Sequence, residues 1–206
     1  MVKHHKILIF ASGSGTNAEQ IIRHFSPNPS VEVLGVYSNN PSAAVLERAK
    51  QLGVSTRVFN REQLNNSEGL LKDLQAQSPD LIVLAGFLWK VPPHIIDAFP
   101  NKIINIHPSL LPKYGGKGMY GNHVYQAVIN AKETESGISI HYVNNQYDQG
   151  AIIFQAKTPI DPDDSPKSLA QKIHKLEHRH FSKEIEKLLL SARKQVNLYT
   201  DGSASG

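Results

Sequence analysis

The strongest constraint in this chain is an alternation. Short apolar, β-branched runs at residues 7–10, 31–37, 54–59, 81–84 and 103–106 are separated by helix-length amphipathic stretches at 18–24, 43–52, 68–77 and 93–99. Runs that are apolar at every position suit strands buried on both faces, and helices between them suit the crossovers of a parallel sheet. The first half therefore predicts an α/β fold with a Rossmann-like, doubly wound, mostly parallel sheet. After Gly121 the order changes to a helix near 123–131 and two strands near 136–143 and 151–157 around a polar turn, which read as a C-terminal β-hairpin. One long helix follows. It opens at Ser165-Pro166, a capping residue and a proline suited to the first helical position, and Leu169, Ile173, Leu176, Phe181, Ile185, Leu188 and Leu189 recur at near-helical spacing.

With 206 residues the chain can bury a sizeable core but has little room for two full domains. It contains no cysteine, which excludes disulfides, thiolate metal sites and a cysteine nucleophile and fits a reducing compartment. No apolar run approaches the roughly 18 residues of a bilayer span, and the run at 7–10 is too short for a signal peptide, so a cytoplasmic protein without membrane contact is expected. A formal charge of +4 is carried by scattered basic residues, densest in the last helix. That distribution argues against nucleic acid as a partner and suits small anionic ligands.

Three segments carry chemistry. Ala11-Ser12-Gly13-Ser14-Gly15-Thr16-Asn17 follows the first strand and precedes a helix, where glycines let backbone amides approach an anion and the helix N-terminus aims amides at it. Gly13, Ser14, Gly15, Thr16 and Asn17 are candidate phosphate ligands. The loop lacks the lysine of a Walker loop, and Ala18 stands where a dinucleotide fingerprint has its third glycine; a plain strand-to-helix turn capped by Thr16 or Asn17 is the structural alternative. In the second segment, Asn105-Ile106-His107-Pro108-Ser109-Leu110-Leu111-Pro112, strand alternation puts Asn105 and His107 on one face. An amide that can donate to a developing oxyanion, beside an imidazole that can exchange a proton, suits attack on a carbonyl-level carbon. The third is Asp148, in the polar turn of the hairpin; it is either a turn former or the carboxylate that orients His107 and favours its protonated form.

The Asn105 to Pro112 motif, together with Asp148-Gln149-Gly150 at the end of the hairpin turn, resembles the folate-dependent formyltransferase family over nearly the whole chain. That resemblance implies transfer of a formyl group from 10-formyltetrahydrofolate, as co-substrate, to the amine of glycinamide ribonucleotide in de novo purine synthesis, with no metal. It further implies Asn105, His107 and Asp148 as the catalytic group, and Glu177 beside the phosphate loop at the glycinamide end. Leu88, Trp89, Lys90 and Val91 would line the folate pocket with Asn105 and His141. Trp89 stands where the family often carries arginine, and the loop at 115–122 is long and glycine-rich; Lys90 and Lys117 are the candidates for basic contacts to the folate glutamate. The expected organisation is one domain over 1–206: a nucleotide-phosphate-binding half (1–100), a catalytic and folate-binding half (101–199) and a frayed tail (200–206), acting as a monomer or homodimer. His174 and His178 lie one helical turn apart without a third ligand and read as a solvated face rather than a metal site. A formyltetrahydrofolate hydrolase and a non-catalytic nucleotide-binding module are the competing functions.

Overall fold

The computed structural model describes residues 4–200, with side chains described to residue 191. Strands β1 (His5–Phe10), β2 (Val31–Ser38), β3 (Thr56–Val58), β4 (Leu81–Leu84) and β5 (Ile103–His107) run parallel in the order β3-β2-β1-β4-β5. Helices α1 (Thr16–Phe25), α2 (Ala44–Gln51), α3 (Arg61–Asn65), α4 (Leu70–Gln77) and α5 (Pro93–Ala98) connect them. After α6 (Asn122–Asn130), β6 (Glu135–Tyr142) and β7 (Ile152–Pro159) join antiparallel beyond β5, completing a 7-stranded sheet, and α7 (Pro166–Thr200) closes the chain. This is the doubly wound α/β class with an added hairpin and long helix.

From Ile7 to Phe10, strand β1 is apolar at every position, and the packing shows why. Ile7 and Ile9 face a core filled by α1, α2, α6 and α7, whereas Leu8 and Phe10 face a second core filled by α3, α4 and α5. Both faces are covered over these four residues, so none of them is free to be polar. Each such side chain contributes about 1.5–3 kcal/mol on burial.

Helix α7 starts as its sequence predicts: the Ser165 hydroxyl accepts from the Ser168 amide at 3.2 Å, and Leu169, Ile173, Phe181, Ile185 and Leu189 are buried against the first core. Helix α3 is an element that periodicity did not predict. Its signal is a capping box, in which Asn60 accepts from the Gln63 amide at 2.8 Å while the Gln63 side chain accepts from the Asn60 amide at 2.9 Å. Five residues are too few for a hydrophobic period to show. Of the tail expected at 200–206, Thr200 ends α7 and residues 201–206 lie outside the described residues. No helix among the described residues is long and apolar enough to cross a membrane.

The strand order sets where a ligand can go. The chain leaves β1 toward β2 and β3 on one side and returns to β4 on the other, so the loops after β1 and β4 part and open a crevice at their carboxyl ends.

Candidate active site

Strand β5 sends Ile104 and Ile106 into the first core, which turns Asn105 and His107 to the opposite face. Across the antiparallel ladder Asn105 pairs with His141 and His107 with Ser139, so this face of the β5–β6 edge is polar where the rest of the sheet is apolar. Ser139 laces the following segment to the hairpin. Its hydroxyl donates to the Ser109 carbonyl at 2.7 Å and accepts from the Leu111 amide at 2.9 Å and from Gln155 Nε2 at 2.8 Å. Ser109 Oγ in turn donates to the Lys113 carbonyl at 2.7 Å. Held this way, residues 108–114 present the Tyr114 carbonyl to His107, whose Nε2 donates to it at 2.7 Å.

Asp148 arrives from the turn between β6 and β7 with a left-handed φ of 53°. Its Oδ2 lies 3.6 Å from His107 Nδ1 and accepts from the Gly116 amide at 2.9 Å; its Oδ1 lies 3.5 Å from His141 Nε2. His141 Nδ1 donates to the Tyr142 carbonyl at 2.9 Å, which leaves Nε2 to accept from the Asn105 side-chain amide at 3.1 Å. One Asn105 N–H is thereby used to orient the group, and the other remains for the cleft.

Burial and charge oppose each other here. Desolvation lowers the His107 pKa below its ordinary value, outweighing the raising effect of the Asp148 carboxylate. The carboxylate does favour the protonated ring, as the sequence suggests, and burial opposes it more strongly. Asp148 behaves the other way: burial raises its pKa, but the adjacent His141 and His107 rings and the Gly116 amide together bring it below the usual carboxylate range. Asp148 is ionised and His107 is poised to accept a proton that this anion would stabilise.

The loop after β1 approaches from the other side of the crevice. Gly15 is the N-cap of α1 with φ 76°, and a Cβ there would run into Val45 of α2, so glycine is required by conformation and by packing. Neither Thr16 nor Asn17 caps the helix; both lie in its first turn, where backbone amides lack intrahelical acceptors. Ser12 braces this loop, its hydroxyl donating to Asn39 at 2.5 Å and accepting from the Leu88 amide at 2.9 Å. Asn17 Nδ2 donates to Glu177 Oε2 at 2.9 Å, while among the described residues Asn17 Oδ1 is buried without a hydrogen-bond partner. Glu177 is 7% exposed, and burial raises its carboxyl to about 7 despite the Asn17 bond.

One cleft of about 670 Å³ gathers all of these groups. Gly13, Ser14, Gly15, Thr16, Asn17, Leu88, Trp89, Lys90, Val91, Asn105, His107, His141, Asp148 and Glu177, every site residue expected from the sequence, line it. Val91 is buried in the second core, whereas Leu88 is exposed. Trp89 carries the Arg61 guanidinium over its ring at 4.5 Å, and Lys90 sits over the Tyr147 ring at 5.2 Å. Lys117, in the glycine-rich loop, lines the cleft as well. Sequence reasoning missed Tyr125, which also lines the cleft; His174, read from the sequence as part of a solvated face, is exposed but lines the cleft too and meets Tyr125 edge-to-face at 6.4 Å. It missed too the backbone partners at Tyr114 and Gly116, since a carbonyl or amide contact has no residue-type signature. Among the described residues no three His, Asp or Glu side chains gather as a metal site would need.

The family model described as formyl transferase matches residues 5–185. The trifunctional purine biosynthetic protein adenosine-3 of Drosophila melanogaster is 36% identical over 91% of this chain, which spans 14% of that protein's length. Phosphoribosylglycinamide formyltransferase of Haemophilus influenzae is 38% identical, with 85% of this chain and 83% of that protein covered. The crystal structure of phosphoribosylglycinamide formyltransferase from Bacillus halodurans superposes with a TM-score of 0.81 at 34% identity, covering 91% of this chain and 96% of the other. With the family model spanning the sheet, the hairpin and most of α7, the chain belongs to the formyl transferase family.

Proposed function

We propose that this protein transfers the formyl group of 10-formyltetrahydrofolate to the amine of glycinamide ribonucleotide, giving formylglycinamide ribonucleotide and tetrahydrofolate in purine synthesis. The observation that carries the proposal is the convergence of Asn105, His107 and Asp148 in the same cleft as the loop at 13–17. The loop amides suit the ribonucleotide phosphate. The unpartnered Asn17 Oδ1 and the Glu177 carboxyl beside it suit donors elsewhere on that substrate. Leu88 and Val91 give the neighbouring wall an apolar character that fits a flat pterin, and Lys90 and Lys117 offer positive charge to the folate carboxylates.

In the reaction the amine nitrogen bonds to the formyl carbon and the carbonyl oxygen takes the negative charge. The free Asn105 N–H stabilises that oxyanion, a contact worth on the order of 3 kcal/mol. His107 takes up a proton at Nδ1, against Asp148, and returns one to the folate nitrogen as its bond to carbon breaks. No covalent bond to the protein is formed. Both partners are small molecules on this reading, and the protein works in the cytoplasm as a monomer or homodimer.

The test is to incubate protein, glycinamide ribonucleotide and 10-formyltetrahydrofolate and follow the formylated amide. Formate released at the same rate without ribonucleotide would instead identify a hydrolase. Heat protection by the ribonucleotide with no product would identify a binding module.

A further inference from the structure

The loop after β1 is held from behind by a helix that takes no part in the cleft. Among the described residues none of α2 lines that cleft, yet α2 meets the loop at Gly13, Ser14 and Gly15 in turn. The Val45 amide, in the first turn of α2 and without an acceptor in its own helix, donates to the Gly13 carbonyl at 3.1 Å. Arg48, one turn further on the same face, donates from Nε to the Ser14 carbonyl at 2.8 Å. The Val45 side chain fills the space where a Cβ on Gly15 would stand. The rest of the guanidinium is spoken for: Nη1 donates to Glu19 Oε2 at 2.5 Å, and Oε1 of the same carboxylate takes Arg23 Nε at 3.0 Å. The positive charge behind the loop is thus matched by a carboxylate, and what Arg48 supplies to the loop is direction.

We propose that Arg48 is a positioning residue for anion binding, which holds the Ser14 carbonyl against α2 and thereby aims the Gly15 amide at a phosphate in the cleft. A trans peptide points its carbonyl and the following N–H in opposite directions, so a carbonyl fixed toward α2 turns the next amide away from it. Among the described residues the Gly15 amide donates no hydrogen bond. Gly15 has no Cβ and tolerates either orientation of the peptide before it, so the orientation has to be imposed from outside. Once released, the Ser14 carbonyl can rotate toward the cleft and set its negative end against the same anion. Arg48 touches neither the phosphate nor the reacting groups, so its effect falls on acceptor binding and spares the chemical step.

The inference rests on the proposed reading that the ribonucleotide phosphate sits at this loop, and binding measurements separate it from turnover. Arg48→Met keeps an unbranched stem and loses the donor. Arg48→Gln loses the charge but carries an amide nitrogen as many bonds from Cα as the arginine Nε. In wild type the Gly15 amide proton should move downfield in NMR when inorganic phosphate is added. Arg48→Met should suppress that shift and weaken glycinamide ribonucleotide in titration calorimetry by on the order of tenfold. Its kcat at saturation and its KM for 10-formyltetrahydrofolate should stay within about twofold of wild type. Arg48→Gln should recover most of the binding, and Arg23→Ala, which removes the other partner of Glu19, should bind as wild type does. Should Arg48→Met fail to fold, Arg48→Leu carries the same expectation. Wild-type affinity in the folded variant overturns the proposal, as does a Gly15 amide that ignores phosphate in wild type. So does an Arg48→Gln as weak as Arg48→Met, which would make charge rather than direction the contribution. A wild-type protein whose Gly15 amide answers to phosphate but which forms no formylated product would defeat the proposed function and leave the positioning intact.

Discussion

His107 sits where burial and the Asp148 charge act in opposite directions, with burial the larger effect. Removing its ring in His107→Ala should lower kcat by about 10²- to 10⁴-fold while KM changes little, as steady-state assays would show. Asp148→Asn, which keeps shape and loses charge, should also depress kcat far more than substrate binding; wild-type turnover in either variant removes that residue from the mechanism. Glu177 makes a separate prediction about stability. Its folded pKa, about 7, is raised above the ordinary 4.5 by burial, so its neutral form is favoured in the folded state. The associated stabilisation is fully present below pH 4.5, declines as pH rises, and is gone once the carboxyl ionises above about 7. Thermal melts should therefore show Glu177→Gln gaining on wild type across that window, by roughly 3 kcal/mol at its upper end. A constant difference from pH 4 to 8 would contradict the shift. At this scale the sequence was informative where side chains follow a regular pattern: Asn105 and His107 alternate with buried isoleucines, and that alone puts them together. It was silent wherever backbone acts, because the Tyr114 carbonyl and the Gly116 amide would look the same with almost any residue.

The hairpin of β6 and β7 is the element on which the site depends most. It carries His141 and Ser139 on its inner strand and Asp148 in its turn, so any slip of register would separate all three from β5. Gly150 is packed directly on the Tyr142 carbonyl, and a Cβ there would run into that oxygen. Gly150→Ala should therefore displace the turn, lowering the thermal midpoint and reducing kcat together, whereas a distant cap substitution such as Ser165→Ala should cost about 1 kcal/mol of stability and spare activity. Element existence was mostly legible because alternation and amphipathic periods are long-range regularities. Helix α3 was not, since a five-residue helix is defined by its Asn60–Gln63 cap rather than by a period. The structural alternative of a cap at Thr16 or Asn17 is not met: polar residues at a helix start usually cap it, but close packing on Val45 gives that position to Gly15.

At the level of the whole molecule, the sheet divides the labour. On the proposed reading the loop after β1 receives the phosphate, and β5 together with the antiparallel hairpin supplies the reacting groups, with the crevice between β1 and β4 joining them. Binding of glycinamide ribonucleotide should stabilise the fold by about 2.7 kcal/mol at a hundredfold excess over Kd, measurable as a rise in thermal midpoint. Gly15→Ala, which disturbs the loop at its tightest point, should abolish that rise; undiminished protection would show that the phosphate binds elsewhere. Because both halves open into one shared cleft and none of the reacting side chains needs to carry the carbon, the donor and the acceptor must be resident together before anything can move between them. Double-reciprocal plots at several fixed concentrations of either substrate should then give lines that cross, and parallel lines would mean the cargo waits on the protein after all.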